Sequence, residues 1–182
     1  MDDTSTPTRQ TESASRYLVV TLYAFAVFGW ELIVTMVLDP LLAAAGPSMA
    51  AMLHWLITAA GWIAGSLLLL RAIRDPRRGL GGAFGHPLRG GIAWRAVVVA
   101  AAVILAVTVR VAALHEWKLP SEYERLSAVH GDATVLAFAV LLAYYLSETL
   151  VIVILLALAQ RGGERQWGAR AVPWGGFALA LT

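Results

Sequence analysis

Four stretches of the sequence, 17–38, 48–70, 96–114 and 133–159, run for nineteen residues or more with at most one charged side chain each. Those charges are Glu31 in the first, Arg110 in the third and Glu148 in the fourth. A hydrocarbon layer about 30 Å thick takes roughly 20 residues of α-helix to cross. Lipid offers backbone groups no partners, so such runs satisfy their own hydrogen bonds as helices. The expected fold is therefore all-α: a polytopic transmembrane bundle of four spans, with an incomplete fifth apolar segment at 173–182.

Composition agrees. Of 182 residues 59% are apolar and 14% charged, against about 25% charged in soluble domains. The chain has no cysteine, which excludes disulfides, thiolate catalysis and Cys-ligated metals. No clustered basic face with base-reading elements is present, so nucleic acid is not an expected partner. Thirteen Arg against one Lys, with abundant Ala and Gly, suggest a GC-rich bacterial genome.

Basic residues in the loops set the orientation. Arg9 and Arg16 lie in the N-terminal tail, and none lies in loop 39–47. Arg71, Arg74, Arg77, Arg78, Arg89 and Arg95 lie in or beside the second loop. Lys118 and Arg125 are in the third, among Glu116, Glu122, Glu124 and Asp132, and Arg161, Arg165 and Arg170 follow the fourth span. Eleven against two, in strict alternation, places the N-terminus in the cytoplasm of a multi-pass protein of the cell membrane. Ala43-Ala44-Ala45 resembles a signal-peptide cleavage site, but the first apolar run far exceeds an h-region of about 7–15 residues.

Residues 1–16 are polar and read as a disordered cytoplasmic tail before the membrane domain 17–182. The second loop holds Gly79, Gly81, Gly82, Gly85, Gly90 and Gly91, yet no strand precedes it and Phe84 breaks the phosphate-binding spacing. It reads as a basic loop near anionic headgroups. Pro120 followed by Ser121-Glu122-Tyr123-Glu124 predicts a short helix to Val129, ended by Gly131. Gly61 and Gly65 form a small-x-x-x-small spacing that lets backbones approach, either within this chain or between copies. Trp94, Trp117 and Trp167 stand where interface anchors belong. The 173–182 segment is either a re-entrant tail or the opening of a further helix in a longer chain. Ala178-Leu179-Ala180-Leu181 favours the second.

Ionisable groups inside a bilayer are costly and need partners or a purpose. From the inferred directions, Glu31 lies roughly 12 Å, His54 about 9 Å and Arg110 about 6–8 Å from the outer end of its own span. They share one level, which predicts a Glu31–Arg110 pair with His54 nearby. The alternative is that Arg110 and His54 snorkel separately. Glu148 sits near mid-span with no basic residue at its depth, and is the first candidate for function. His115, Glu116, Glu122, Glu124, His130 and Asp132 gather in the outer loop without metal-ligand spacing, so no metal is expected there. A haem between His54 and His130 is the remote alternative.

Glu148 on an apolar helix is followed by Gln160-Arg161-Gly162-Gly163-Glu164, and then by Pro173-Trp174-Gly175-Gly176 opening another apolar run. This order resembles the CPBP (CAAX protease and bacteriocin-processing, or Abi) family of intramembrane metalloproteases, over the 35 residues 148–182. In that family a Glu-Glu-x-x-x-Arg motif on a membrane helix precedes a helix carrying Phe-x-x-x-His. Here Thr149 replaces the second Glu, Ile152 and Val153 stand where Arg belongs, and no His-bearing helix follows. The resemblance implies a divergent member in which only Glu148 carries over, as a water-activating carboxylate. Divalent metal is expected only on that reading, and no cofactor otherwise.

Three functions stay open: a non-enzymatic membrane component, such as a subunit of an assembly; a divergent or truncated CPBP-like protease; and a transporter or proton-coupled subunit using buried carboxylates. The bilayer is the expected partner in each, with self-association or other membrane subunits beside it.

Overall fold

The computed structural model describes residues 6–75, 80, 83–84, 91–114, 118–168 and 172–180. Among them every regular element is helical: α1 (Thr6–Phe28), α2 (Trp30–Ile33), a π-turn (Val34–Leu38), α3 (Asp39–Leu42), a 3-10 turn (Ala43–Ala45), α4 (Pro47–Arg74), α5 (Gly91–Ala113), α6 (Lys118–His130), a 3-10 turn (Gly131–Ala133), α7 (Thr134–Trp167) and α8 (Trp174–Leu179). Three segments are long and apolar enough to cross a membrane: Ala14–Ala45, Pro47–Arg74 and Pro120–Trp167. The expected third stretch, 96–114, is helical as α5 but is not one of those three.

The chain forms two compact units, residues 1–84 with 139–182, and residues 85–138. The second contains α5, α6 and the start of α7. Its short helix α6 matches the expected 121–129 element and extends it by a few residues at each end. Gly131 ends it with φ 53°, a left-handed conformation suited to glycine. Leu126 is buried, and Tyr123 meets Phe138 edge-on with centroids 5.9 Å apart.

In the first unit α1, α4 and the body of α7 pack together. Tyr17, Val20 and Ala24 of α1 meet Leu69 and Ile73 of α4 and Ile154, Leu155 and Leu158 of α7, with Leu80 and Ala83 closing that end. Between helices in lipid there is no hydrophobic drive, so van der Waals contact and side-chain hydrogen bonds hold them.

Three boundaries differ from the sequence reading. Helix α1 begins at Thr6, so most of the expected tail is helical; Pro7 falls in the first turn, where its missing N–H costs nothing. Loop 39–47 is also almost entirely helical, because α3 and the 3-10 turn carry the first segment to Ala45. Gly46, with φ 86°, then turns the chain and Pro47 opens α4. Helix α7 runs through Gly162-Gly163 and stops only at Gly168, whose φ is 69°. Both glycines inside it are buried: a Cβ at Gly163 would lie 2.2 Å from the Trp174 ring, and one at Gly162 would lie 3.3 Å from Leu18. Close approach selects them, and bundle contacts outweigh their helix-breaking tendency.

Helix α8 crosses back over α7. The Gly175 N–H donates to Gln160 Oε1 at 3.1 Å, and a Cβ on Gly175 would stand 2.7 Å from the Leu156 carbonyl. Trp167 and Trp174 stack with centroids 4.6 Å apart.

Candidate functional site

The one-residue turn at Gly46 makes the first two membrane-length segments an antiparallel hairpin, in which residues equally distant from the turn come level. Val27 and Gly65 each stand nineteen residues from Gly46, and a Cβ on Gly65 would fall 2.5 Å from Val27. One on Gly61 would fall 2.1 Å from the Trp30 indole. The Gly61–Gly65 face thus receives side chains of the same chain. With no Cβ in the way, Trp30 Nε1 reaches the Ile57 carbonyl at 3.2 Å.

A second indole completes the frame. Helix α1 breaks at Gly29, where the Leu32 N–H goes to the Gly29 carbonyl instead of that of Phe28. Trp62 Nε1 donates to the Phe28 carbonyl at 3.1 Å, and its ring stacks on Phe28 at 6.0 Å. Trp62 is fully buried. An unpaired carbonyl in an apolar layer costs several kcal/mol, roughly; the indole removes that penalty.

Beyond the break, Val34–Leu38 widens into a π-turn, with the Asp39 N–H bonded to the Val34 carbonyl. Pro40 supplies the reason: it lacks an N–H and its ring crowds the carbonyl four residues back, at Met36. Such turns recur at functional sites.

On this frame four polar side chains meet. Asp39, seven residues before Gly46, faces His54, eight after it. His54 Nδ1 lies 2.9 and 3.0 Å from the two Asp39 carboxylate oxygens. His54 Nε2 lies 3.8 Å from Glu31 Oε1. Tyr144 of α7 donates its hydroxyl to that same Glu31 oxygen at 2.5 Å. The Tyr144 ring packs 5.0 Å from that of Trp62 and 6.5 Å from the His54 imidazole. Helical side chains lean toward their N-terminus, so Tyr144 reaches back along α7 toward Glu31. The result is a row, Asp39–His54–Glu31–Tyr144, drawn from three helical segments.

Of the sequence candidates, Glu31 and His54 come together. Arg110 lies on α5 in the other unit, with an exposed side chain; the groups bonded to or facing Glu31 are Tyr144 and His54. Glu148 follows Tyr144 by one helical turn, half-buried and within electrostatic range of Glu31. The buried hydroxyls of Thr58 and Ser66, one and three turns beyond His54 on α4, have no hydrogen-bond partner among the described residues. Asp39 and Tyr144 were not singled out from the sequence. Asp39 read as a span terminator, and only the symmetry about Gly46 could have paired it with His54.

Among the described residues no three His, Asp or Glu side chains stand close enough to hold a metal ion. Glu148 belongs to no such group among those residues. Both His54 nitrogens face carboxylates, so neither is presented to a haem iron, and His130 is buried at the end of α6 with interactions of its own. On α6 Glu122 pairs with Arg125 at 2.6 Å. His115, Glu116 and Trp117 lie outside the described residues, as does most of the glycine-rich loop. Comparison with protein-family models, with curated proteins and with solved structures finds no match.

Proposed function

We propose that the chain is a four-span protein of the cell membrane, N-terminus in the cytoplasm, acting as a proton-coupled component: a carrier, or the subunit of one. The alternation of eleven basic loop residues against two supports the orientation. Helix α5, at 23 residues, rises about 34 Å and supplies the fourth span.

The Asp39–His54–Glu31–Tyr144 row carries the functional part. Four groups able to exchange protons stand in sequence within helices whose remaining faces are largely apolar. Rows of carboxylates and histidines inside membrane helices are the chemistry of proton relays. His54 takes a proton at Nε2 from the Glu31 side and releases one at Nδ1 toward Asp39. Tyr144 holds Glu31 in register, and Glu148, one turn further along α7 and within electrostatic range of Glu31, is the group that resupplies Glu31 with a proton. A purely packing role would not require two carboxylates facing one imidazole.

The test uses the purified chain in liposomes holding a pH-sensitive dye, with a potassium diffusion potential as driving force. Wild-type protein acidifies the lumen faster than protein-free vesicles do, and Glu31→Gln and His54→Gln return the rate to that background. Wild-type flux equal to background, or flux unchanged in both variants, removes the proton role. The protease alternative predicts instead that divalent metal co-purifies and is lost in Glu148→Gln.

A further inference from the structure

Between them, α1 and α4 form the walls of a groove of about 720 Å³ to which no residue of α7 contributes. Its walls include Val20, Ala26, Val27 and Leu68; Trp30 stands at one end, and Arg71 at the other. From Gly61 to Arg71 α4 rises about 15 Å, half of a hydrocarbon layer of about 30 Å. The groove is thus as long as one leaflet is deep. It is apolar along that length and cationic where it ends, with Arg71 and Arg74 both exposed in the last turns of α4. Asp75 also lines that end, but is engaged within the chain.

We infer that this groove holds an anionic phospholipid, its acyl chain lying along Val20–Trp30 and its phosphate on Arg71. A second copy of the chain is a poorer occupant. Trp30 and Val27 lean over Gly61 and Gly65, which also line the groove, so a partner helix would meet those two side chains before the glycine backbone. What remains is a slot with a guanidinium at one mouth, complementary to a chain with a phosphodiester head. The inference rests on the proposed membrane topology, which puts Arg71 at the inner leaflet.

The test equilibrates the full chain in mild detergent with equal amounts of phosphatidylglycerol and phosphatidylcholine of identical acyl chains, read by native mass spectrometry. Phosphatidylglycerol is retained about fivefold over phosphatidylcholine, and Arg71→Gln brings the two to parity. Ala26→Phe, which fills the slot from its exposed wall, removes both lipids while circular dichroism stays that of the parent. Equal retention by the wild type, or retention insensitive to both substitutions, overturns the inference. So does a dimer that Ala26→Phe dissociates in place of lipid loss, because a second copy then covers the groove. The chain has no cysteine, so Arg74→Cys reports the leaflet through labelling of intact cells with an impermeant maleimide. Labelling from outside with lipid preference intact overturns the topology and leaves the lipid site standing in the opposite leaflet.

Discussion

Toward Arg71 the bundle of α1, α4 and α7 is held by Tyr17, Val20, Leu69, Leu155 and Leu158, whose packing is almost wholly apolar. Toward Gly46 the same helices meet through Glu31, Asp39, His54 and Tyr144. In the first region a side chain matters by its shape, because contact area is the only source of cohesion between helices in lipid. In the second, on the proposed reading, it matters by its protons, and two indoles hold the surrounding backbone. The contrast separates residues whose loss should cost stability from those whose loss should cost function.

The largest stability effect should come from the apolar end. Leu155→Ala is expected to destabilise by about 2–5 kcal/mol, measured by equilibrium unfolding in mixed micelles, with proton flux per folded molecule unchanged. Altered flux would show that the two regions are not separable. Gly61→Ala comes next. A methyl 2.1 Å from the Trp30 ring must displace the indole, costing about 1–3 kcal/mol, whereas at Gly176, where the nearest atom is 3.7 Å away, the same change should be nearly silent. Equal effects at both positions would contradict the close packing of the hairpin.

Tyr144→Phe removes one hydrogen bond and little volume. Side-chain bonds between membrane helices average roughly 0.6 kcal/mol, so stability should fall only slightly while flux drops by much more than that loss explains. Unchanged flux would leave Tyr144 as packing alone. Smallest of all is Arg161→Ala, which breaks a partly exposed pair with Glu164 at 2.7 Å and should change stability by about 0–1 kcal/mol.

Much of the helical framework could be read from the residues alone, since apolar run length reports directly on membrane-length helices. Three of the four expected spans fall in segments that meet the length and hydropathy needed. Boundaries were less legible: the first and fourth apolar runs end at Asp39-Pro40 and Gln160-Arg161, yet a π-turn absorbs the proline and close helix contacts employ the glycines that follow Arg161. At the site, depth along each span correctly brought Glu31 and His54 to one level. Depth says nothing about azimuth, however, which is why Tyr144 was passed over as a neighbour of Glu148 and Arg110 was expected beside Glu31. Azimuth depends on the Gly29 break and the π-turn before Pro40, neither of which follows from apolar run length.

A joint of a single residue also governs how the chain enters lipid. With α3 and α4 meeting at Gly46, the first two segments have almost no slack to be delivered one after the other. They must pass the insertion machinery as a pair, with Asp39 and His54 already side by side near its leading tip. On the proposed topology each polar side chain crosses beside its hydrogen-bond partner, which lowers the cost of translocating the hairpin below that of either segment alone. The contact that arms the mature site is, during biogenesis, what lets the hairpin through.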